Sequence, residues 1–483
     1  MAATKGEGIY NVVVIGGGTA GLVTAAGTAG LGGRVALIER GRMGGECLNT
    51  GCVPSKALLS SARLASHIQN ARSWGLDSQE PKLDFLRVLT RMREKRAQLA
   101  PHDSAERFES LGVDVFRGEA RFVSPREVAV EGHRLRARNF VIATGSRPSI
   151  PVIDGLNRAK FYTNETLFDE LRERPQRIFV LGGGSAGTEL AQAFARLGTR
   201  VTLVERGPRI LINEDADASG LVHESLERDG VRVITGADTQ VVVQQGSLLR
   251  VWVEAEGRDR EPVDCEVILV ATGRLPNIEE LGLETAGVAF TAEGVTVNEK
   301  LQTSQRHIYA AGDVVGPPRF THLADVHART IVRNILIPWW RERVDMSVLP
   351  SCVFTSPQVA RVGWNEQEAV RRGAAYEVFK QPMESVDRAV VESEEVGFAK
   401  LLLAKGQDRI LGATIVSERA GELIAEVTLA MTAKLGLSAI GRTIYAYPSF
   451  SEVLRQIADQ KQRTRLTPFR RKLLSALYRR ARA

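Results

Sequence analysis

A mostly apolar run from Asn11 to Ile15 leads into Gly16-Gly17-Gly18-Thr19-Ala20-Gly21, then an uncharged helix-like stretch, then an apolar run from Arg34 that ends in Glu39. The pattern returns far downstream. Arg177 to Leu181 is followed by Gly182-Gly183-Gly184-Ser185-Ala186-Gly187, a helix-like stretch, and Arg200 to Glu205. In both copies the acid follows the last glycine by 18 residues. Each copy predicts strand, glycine turn, helix and strand. The 22 residues from Val12 to Gly33 carry no charge, which is membrane-helix length, but eight of them are glycine. A strand, turn and helix account for the segment better than a span. Val141–Gly145 and Val270–Gly273 are further strand-like runs closed by a glycine turn, and Ile308–Asp313 is a strand ending in an acid. Near the end, VARVGW and FAKLLL read as strands and GELIAEVTLAMTAKLG as a helix. The expected fold is therefore α/β, with two Rossmann-like dinucleotide-binding domains and a C-terminal α+β domain.

The duplicated unit has a specific physical meaning. The first glycine allows the tight turn, the second lets backbone approach a pyrophosphate, and the third lets helix and strand pack closely. Helix N-terminal amides then hold the phosphates, and the acid accepts ribose hydroxyls. One such motif is weak evidence. Two with matching context point to two bound dinucleotides, as hydride transfer between a flavin and a nicotinamide requires.

Composition changes this picture little. With 43% hydrophobic and 25% charged residues, the 483-residue chain reads as a globular protein of about three domains. No basic stretch followed by an apolar segment opens it, so the expectation is a cytoplasmic protein. The net charge of +7 is uneven: residues 461–483 hold nine Lys/Arg and no acid, which leaves the rest near −2. That balance excludes the body as a nucleic-acid binder. In the tail, Leu466, Phe469, Leu473, Leu474, Leu477 and Tyr478 recur at helical steps among the basic residues. This suits a basic amphipathic helix on an anionic membrane or a partner. A solvated tail, or one packed on a dimer, is the plainer reading. Trp339-Trp340 is compatible with a surface contact and equally with packing.

Of the four cysteines, Cys47 and Cys52 lie close together while Cys265 and Cys352 are scattered. That excludes a disulfide scaffold and points to a catalytic pair. A static disulfide and a zinc site are the alternatives; the latter wants two more ligands at fitting spacing, and none lies near, so no metal site is expected. A disulfide needs Cα atoms about 5.5–6 Å apart, whereas five residues of regular helix rise about 7.5 Å. The turn must be distorted, and Gly51 eases that. A helix start beside the pair, ahead of the apolar run from Ala57, would favour a thiolate.

The segment GGECLNTGCVPSK at 44–56, with VIATGSRP at 141–148, ATGRLPN at 271–277, IYAAGDV at 308–314 and VFTSPQVARVG at 353–363, resembles the class I pyridine nucleotide–disulfide oxidoreductase family in family order, over roughly residues 9–458. That family includes dihydrolipoamide dehydrogenase, glutathione reductase and mercuric reductase. The resemblance implies an FAD-binding domain (1–150 and 271–345), an NAD(P)-binding domain (151–270), a dimerisation domain (346–460) and an additional basic tail (461–483). It implies that Gly16, Gly18, Gly21, Glu39, Lys56, Thr144, Gly145 and Asp313 serve FAD. Gly182, Gly184, Gly187, Glu205 and Gly273 would serve the nicotinamide dinucleotide. Cys52 would be the flavin-facing sulfur, Cys47 the interchange sulfur, and Lys56 and Glu189 an ion pair beside the flavin. Glu205 favours NADH, since its charge repels a 2′-phosphate; Arg206 and Arg209 soften that and keep NADPH open. A homodimer is implied, with the C-terminal domain of one subunit completing the other's active site.

The chain departs from the family in places. Dithiol-exchanging members carry a His as acid/base with a Glu that orients it; here Tyr447 stands at the His position and Glu452 is retained. No histidine follows His327. A tyrosine near pKa 10 shuttles protons poorly at neutral pH. Mercuric reductase shares this tyrosine, and a soft metal ion held by two thiolates needs no base. That enzyme's C-terminal cysteine pair is missing here, since the last cysteine is Cys352. Ser185 replaces a bulky gating residue of relatives. The sequence thus predicts electron flow from NAD(P)H through FAD to Cys47–Cys52 and on to a small-molecule acceptor, a disulfide or a soft metal ion. The other readings are a quinone or oxygen reductase acting directly from FAD, and a slow-turnover redox sensor at the membrane surface.

Overall fold

The computed structural model describes residues 5–77, 82–255, 257 and 259–481. It divides into two compact units: residues 1–206 with 230–345, and residues 207–229 with 346–483.

The first unit is built on two parallel sheets. In the first, β1 (Ile9–Ile15) is central and pairs in parallel with β2 (Val35–Glu39) and with His133–Ile142. Val113–Arg117 extends the sheet beyond β2, and Ile308–Ala310 joins His133–Ile142, also in parallel. Antiparallel strands Glu127–Val130 and Arg121–Ser124 close one side. The helix α1 (Thr19–Gly30) follows β1, so the uncharged 12–33 segment is a buried strand, a turn and a helix. The second sheet repeats the design. Arg177–Leu181 lies between Arg200–Glu205 and Val267–Val270, flanked by Val231–Thr235 and Phe161–Tyr162, all parallel. Its crossover helix is Ser185–Arg196. The central strands are buried on both faces, which is why they read as unbroken apolar runs. A three-stranded antiparallel sheet (Ala237–Gln245, Leu248–Ala255, Glu261–Cys265) completes the unit.

The second unit holds a five-stranded antiparallel sheet in the order Pro350–Val353, Gln358–Gly363, Ile410–Ser417, Phe398–Ala404, Tyr376–Pro382. The helices Ala420–Thr432 and Glu452–Thr464 bury Leu423, Ile424, Val427, Val453, Leu454 and Ile457 in the same core. Residues 207–229 join it through charge. Lys400, 1% exposed inside its strand, reaches Asp215 (2.9 Å), Asp217 (2.9 Å) and Glu366 (2.6 Å). A buried ammonium requires such partners. The last helix, Pro468–Arg480, is capped by the Thr467 hydroxyl, which accepts the Arg470 N–H, and all its side chains are exposed. Among the described residues no helix is long and apolar enough to cross a membrane.

Candidate active site

The two glycine loops are built alike. Gly16 and Gly182 have φ of +110° and +109°, and a Cβ there would lie 2.2 Å from Ala143 O and 2.5 Å from Ala271 O respectively. A Cβ at Gly21 would stand 1.8 Å from Gly16 O, and one at Gly187 1.9 Å from Gly182 O. Only glycine satisfies both requirements. Gly18 and Gly184 are the N-caps of α1 and of Ser185–Arg196; neither first turn carries an acid, and space is open at Gly184. Each strand-end carboxylate closes its own loop: Glu39 accepts the Gly17 and Gly41 N–H groups at 2.6 Å, and Glu205 accepts the Gly183 N–H at 2.6 Å. Acid-free helix N-termini with bare backbone fit the pyrophosphate of a dinucleotide, and the carboxylates beside them fit its ribose.

Other residues frame the first cradle. Thr144 and Asn277 bond reciprocally, the hydroxyl to Asn277 O (2.7 Å) and the amide to Thr144 O (2.9 Å). Gly145, beside the first cradle, and Gly273, beside the second, both turn with positive φ. Asp313, just beyond Ile308–Ala310, accepts the Ser146 hydroxyl at 2.6 Å.

The cysteines sit on two short helical pieces. α2 (Gly45–Asn49) carries Cys47; Thr50 and Gly51 break the helix, and α3 (Cys52–Gln69) begins at Cys52. The break supplies the distortion that the spacing demands, and α3 starts ahead of the apolar run, at the second cysteine itself. Both thiols are free, Cys47 half-buried and Cys52 exposed, and they hydrogen-bond to each other. The Cys52 sulfur is also 3.4 Å from the Thr321 hydroxyl. Lys56, one turn into α3, places Nζ 2.8 Å from Glu189 Oε2 on the crossover helix of the second sheet.

This arrangement makes the two sulfurs unequal. Cys52 is lowered to about 6, first by the hydrogen bond from Cys47, then by Thr321 and the Lys56 charge, with burial opposing. The helix N-terminus acts in the same direction. Cys47 is pushed far up, by the bond it gives Cys52 and then by burial. At neutral pH the pair therefore holds one proton, on Cys47, and a thiolate at Cys52.

In the second unit Tyr447 is 71% exposed, and its hydroxyl donates to Asp387 Oδ2 at 2.7 Å. That bond raises the phenol above its ordinary value, so the group is a neutral hydrogen-bond donor. Glu452 is buried, and its carboxylate takes Arg455 at 2.9 Å. Its partner is an arginine, not the side chain at the family's histidine position. Among the described residues no group of three or more His, Cys, Asp or Glu is placed to hold a metal ion.

Comparison with known proteins agrees with this geometry. The pyridine nucleotide-disulphide oxidoreductase model matches residues 10–328, and the model of that family's dimerisation domain matches residues 349–458. The chain belongs to this family. It is similar to mercuric reductase of Staphylococcus aureus, with 36% identity over 94% of this chain and 82% of that one. Dihydrolipoyl dehydrogenase of Thermus scotoductus is also 36% identical, over 93% of this chain and 97% of that one. Among solved structures, the Cu(II) complex of the HOCl-induced flavoprotein disulfide reductase RclA from Escherichia coli superposes with a TM-score of 0.83 at 29% identity, covering 94% of this chain and all of that one. The protein is thus an FAD-dependent enzyme of the pyridine nucleotide–disulphide oxidoreductases, drawing on NAD(P)H.

Several residues of this oxidoreductase's site escape sequence reasoning. Thr321 lies 269 positions from Cys52 and stands in no motif. Glu46, next to Cys47, is pushed up to about 7 by burial, although Arg274 approaches at 2.7 Å. Asn164 donates to Glu46 Oε1 and to Thr50 O. Arg274 also bonds Ser146, the partner of Asp313. An acid inside the cysteine motif was the available signal, since half-buried carboxylates need partners. Nothing in the sequence named them, nor Asp387 for Tyr447.

Proposed function

We propose that the protein is a homodimeric NAD(P)H:acceptor oxidoreductase in which Cys47 and Cys52 deliver two electrons to a soft metal ion or a small disulfide, the metal ion being favoured. The observation that carries this reading is the unequal pair: a thiolate at Cys52, a proton on Cys47, and no histidine in the C-terminal domain to remove it. FAD held in the first cradle supplies hydride acceptance from the nicotinamide and electron transfer to the cysteine disulfide.

The chain's own residues do the rest. Gly16, Gly18 and Gly21 receive one pyrophosphate and Gly182, Gly184 and Gly187 the other, with Glu39 and Glu205 on the ribose hydroxyls. Thr144, Gly145 and Asp313 line the first cradle, Gly273 the second. Lys56, fixed by Glu189, keeps positive charge beside the Cys52 thiolate. Reduction of the disulfide takes up two electrons and one proton, leaving Cys47 as a thiol. A disulfide acceptor needs Cys47 as a thiolate, and Tyr447, held as a neutral donor by Asp387, does not remove its proton. A soft cation displaces that proton by binding the sulfur, because thiol ligands deprotonate on coordination. The two electrons then reduce one Hg(II) ion, or two Cu(II) ions by one electron each, as the Cys47–Cys52 bond re-forms.

NADH is the favoured donor. Glu205 repels a 2′-phosphate, and each flanking arginine also has a partner of its own. Arg206 pairs with Asp238 at 3.3 Å, and Arg209 donates to Leu211 O and Ile212 O. The homodimer is supported by the match to the dimerisation domain. A cytoplasmic location fits a pair that must return to the dithiol.

The test is NADH oxidation with Hg(II) or Cu(II) salts, lipoamide, glutathione disulfide and a quinone as acceptors. Turnover with the metal ions that is lost in Cys47→Ser supports the proposal. Turnover with the quinone alone, surviving Cys47→Ser, transfers the role to direct reduction from FAD.

A further inference from the structure

The C-terminal helix has no place in the chemistry above. Every residue from 462 to 481 is exposed. Leu466 (51%), Phe469 (76%), Leu473 (54%), Leu474 (44%), Leu477 (54%) and Tyr478 (73%) stand in solvent within one short stretch. Single exposed apolar residues are ordinary, but a dense cluster marks a surface to be covered. Basic side chains lie among them: Arg465, Arg470, Arg471, Lys472, Arg479 and Arg480, with no acid anywhere in 461–483. The helix is well begun, with Thr467 as N-cap and Pro468 at its first position. Yet a 13-residue helix with no buried face is marginal in water.

We propose that this helix docks the enzyme on an anionic lipid bilayer, lying in the interface plane. Charge alone fits any polyanion. A nucleic acid or an acidic peptide would satisfy the arginines and leave six large apolar side chains in water. A bilayer interface takes both, the apolar side chains entering the acyl boundary and the guanidinium groups meeting lipid phosphates. Leu473, Leu474, Leu477 and Tyr478 recur at three- and four-residue steps, and the arginines between them extend their heads past the apolar surface to the phosphate layer. The proposal stands apart from the electron-transfer reading: loss of the tail leaves the cysteine pair and both cradles intact.

The experiment is co-sedimentation of the full-length holoenzyme with vesicles of phosphatidylcholine alone or mixed with phosphatidylglycerol. Binding to the anionic vesicles is expected to exceed binding to the neutral ones roughly tenfold and to fall at high salt. A chain ending at Thr464 is expected to lose binding while NADH-dependent flavin reduction is unchanged. The triple variant Phe469→Ser, Leu473→Ser, Leu477→Ser keeps every charge and is expected to lose most binding. Unchanged binding of either variant, or equal binding to both vesicle types, overturns the proposal. So does capture of duplex DNA without vesicle binding, or a truncated chain that becomes monomeric while the full-length protein ignores vesicles.

Discussion

Replacing Cys47 with alanine removes the first of the influences that hold Cys52 down to about 6. Thr321 and Lys56 still lower the midpoint of Cys52 while burial and Glu189 raise it, so it is expected to rise toward the ordinary thiol value of about 8.5. At pH 7 a midpoint of about 6 means about 90% thiolate, and one of about 8.5 means about 3%. A rate measured at one pH would mislead, because a more basic thiolate is a better nucleophile and offsets part of the loss. The assay is therefore alkylation of pre-reduced protein across a pH series, with the Cys52 peptide followed by mass spectrometry. The parent is expected to show a midpoint near 6, Cys47→Ala one at least a unit higher, and Cys47→Ser, which keeps a donor, a value between them. A Cys47→Ala midpoint equal to the parent's refutes the idea that the pair shares its proton.

The duplicated cradles separate by mutation. Gly21→Ala should abolish FAD retention, whereas Gly187→Ala should keep the yellow cofactor and lose its reduction by NADH, each at a cost on the order of 1–3 kcal/mol, because the new methyl meets a carbonyl; absorbance and stopped-flow reduction read both. Lys56→Met should raise the Cys52 midpoint and destabilise the fold by about 1–3 kcal/mol, since Glu189 is buried while Lys56 is 38% exposed; denaturant unfolding reports the second effect. Glu46 lies above its ordinary 4.5, at about 7, so the folded state binds its proton more tightly than the unfolded state does, and the carboxylate weakens the fold increasingly as pH rises through that window. The melting temperature of Glu46→Gln relative to the parent should therefore climb between those pH values; a flat difference contradicts the assignment.

The cradles were legible because the first and last glycine of each loop answer separate steric demands. Gly16 must turn and Gly21 must pass under a carbonyl, and no other residue does either, so the repeat could be read without structure. The cysteine segment was legible for a related reason, as its spacing forbids a continuous helix and Gly51 marks the break. What stayed hidden is long-range. Thr321 reaches Cys52 only because Ile308–Ala310 pairs with His133–Ile142 and delivers the following helix to the first sheet. FAKLLL read only as a strand; that Lys400 within it is a buried cation stayed hidden, because its partners Asp215 and Asp217 come from a segment that sequence order placed with the second dinucleotide domain. Tyr447 read as a lost histidine; its bond to Asp387 joins residues 60 positions apart, whereas Glu452 bonds Arg455 one turn along its own helix.

Electrons from NADH are expected to enter the Cys47–Cys52 pair. Anaerobic titration of the purified holoenzyme with NADH, followed by absorbance, tests this most directly. A long-wavelength band from the Cys52 thiolate beside the flavin is expected, absent in Cys52→Ala. Plain bleaching of the flavin in the parent, with no such band, would mean that the pair stays outside the electron path.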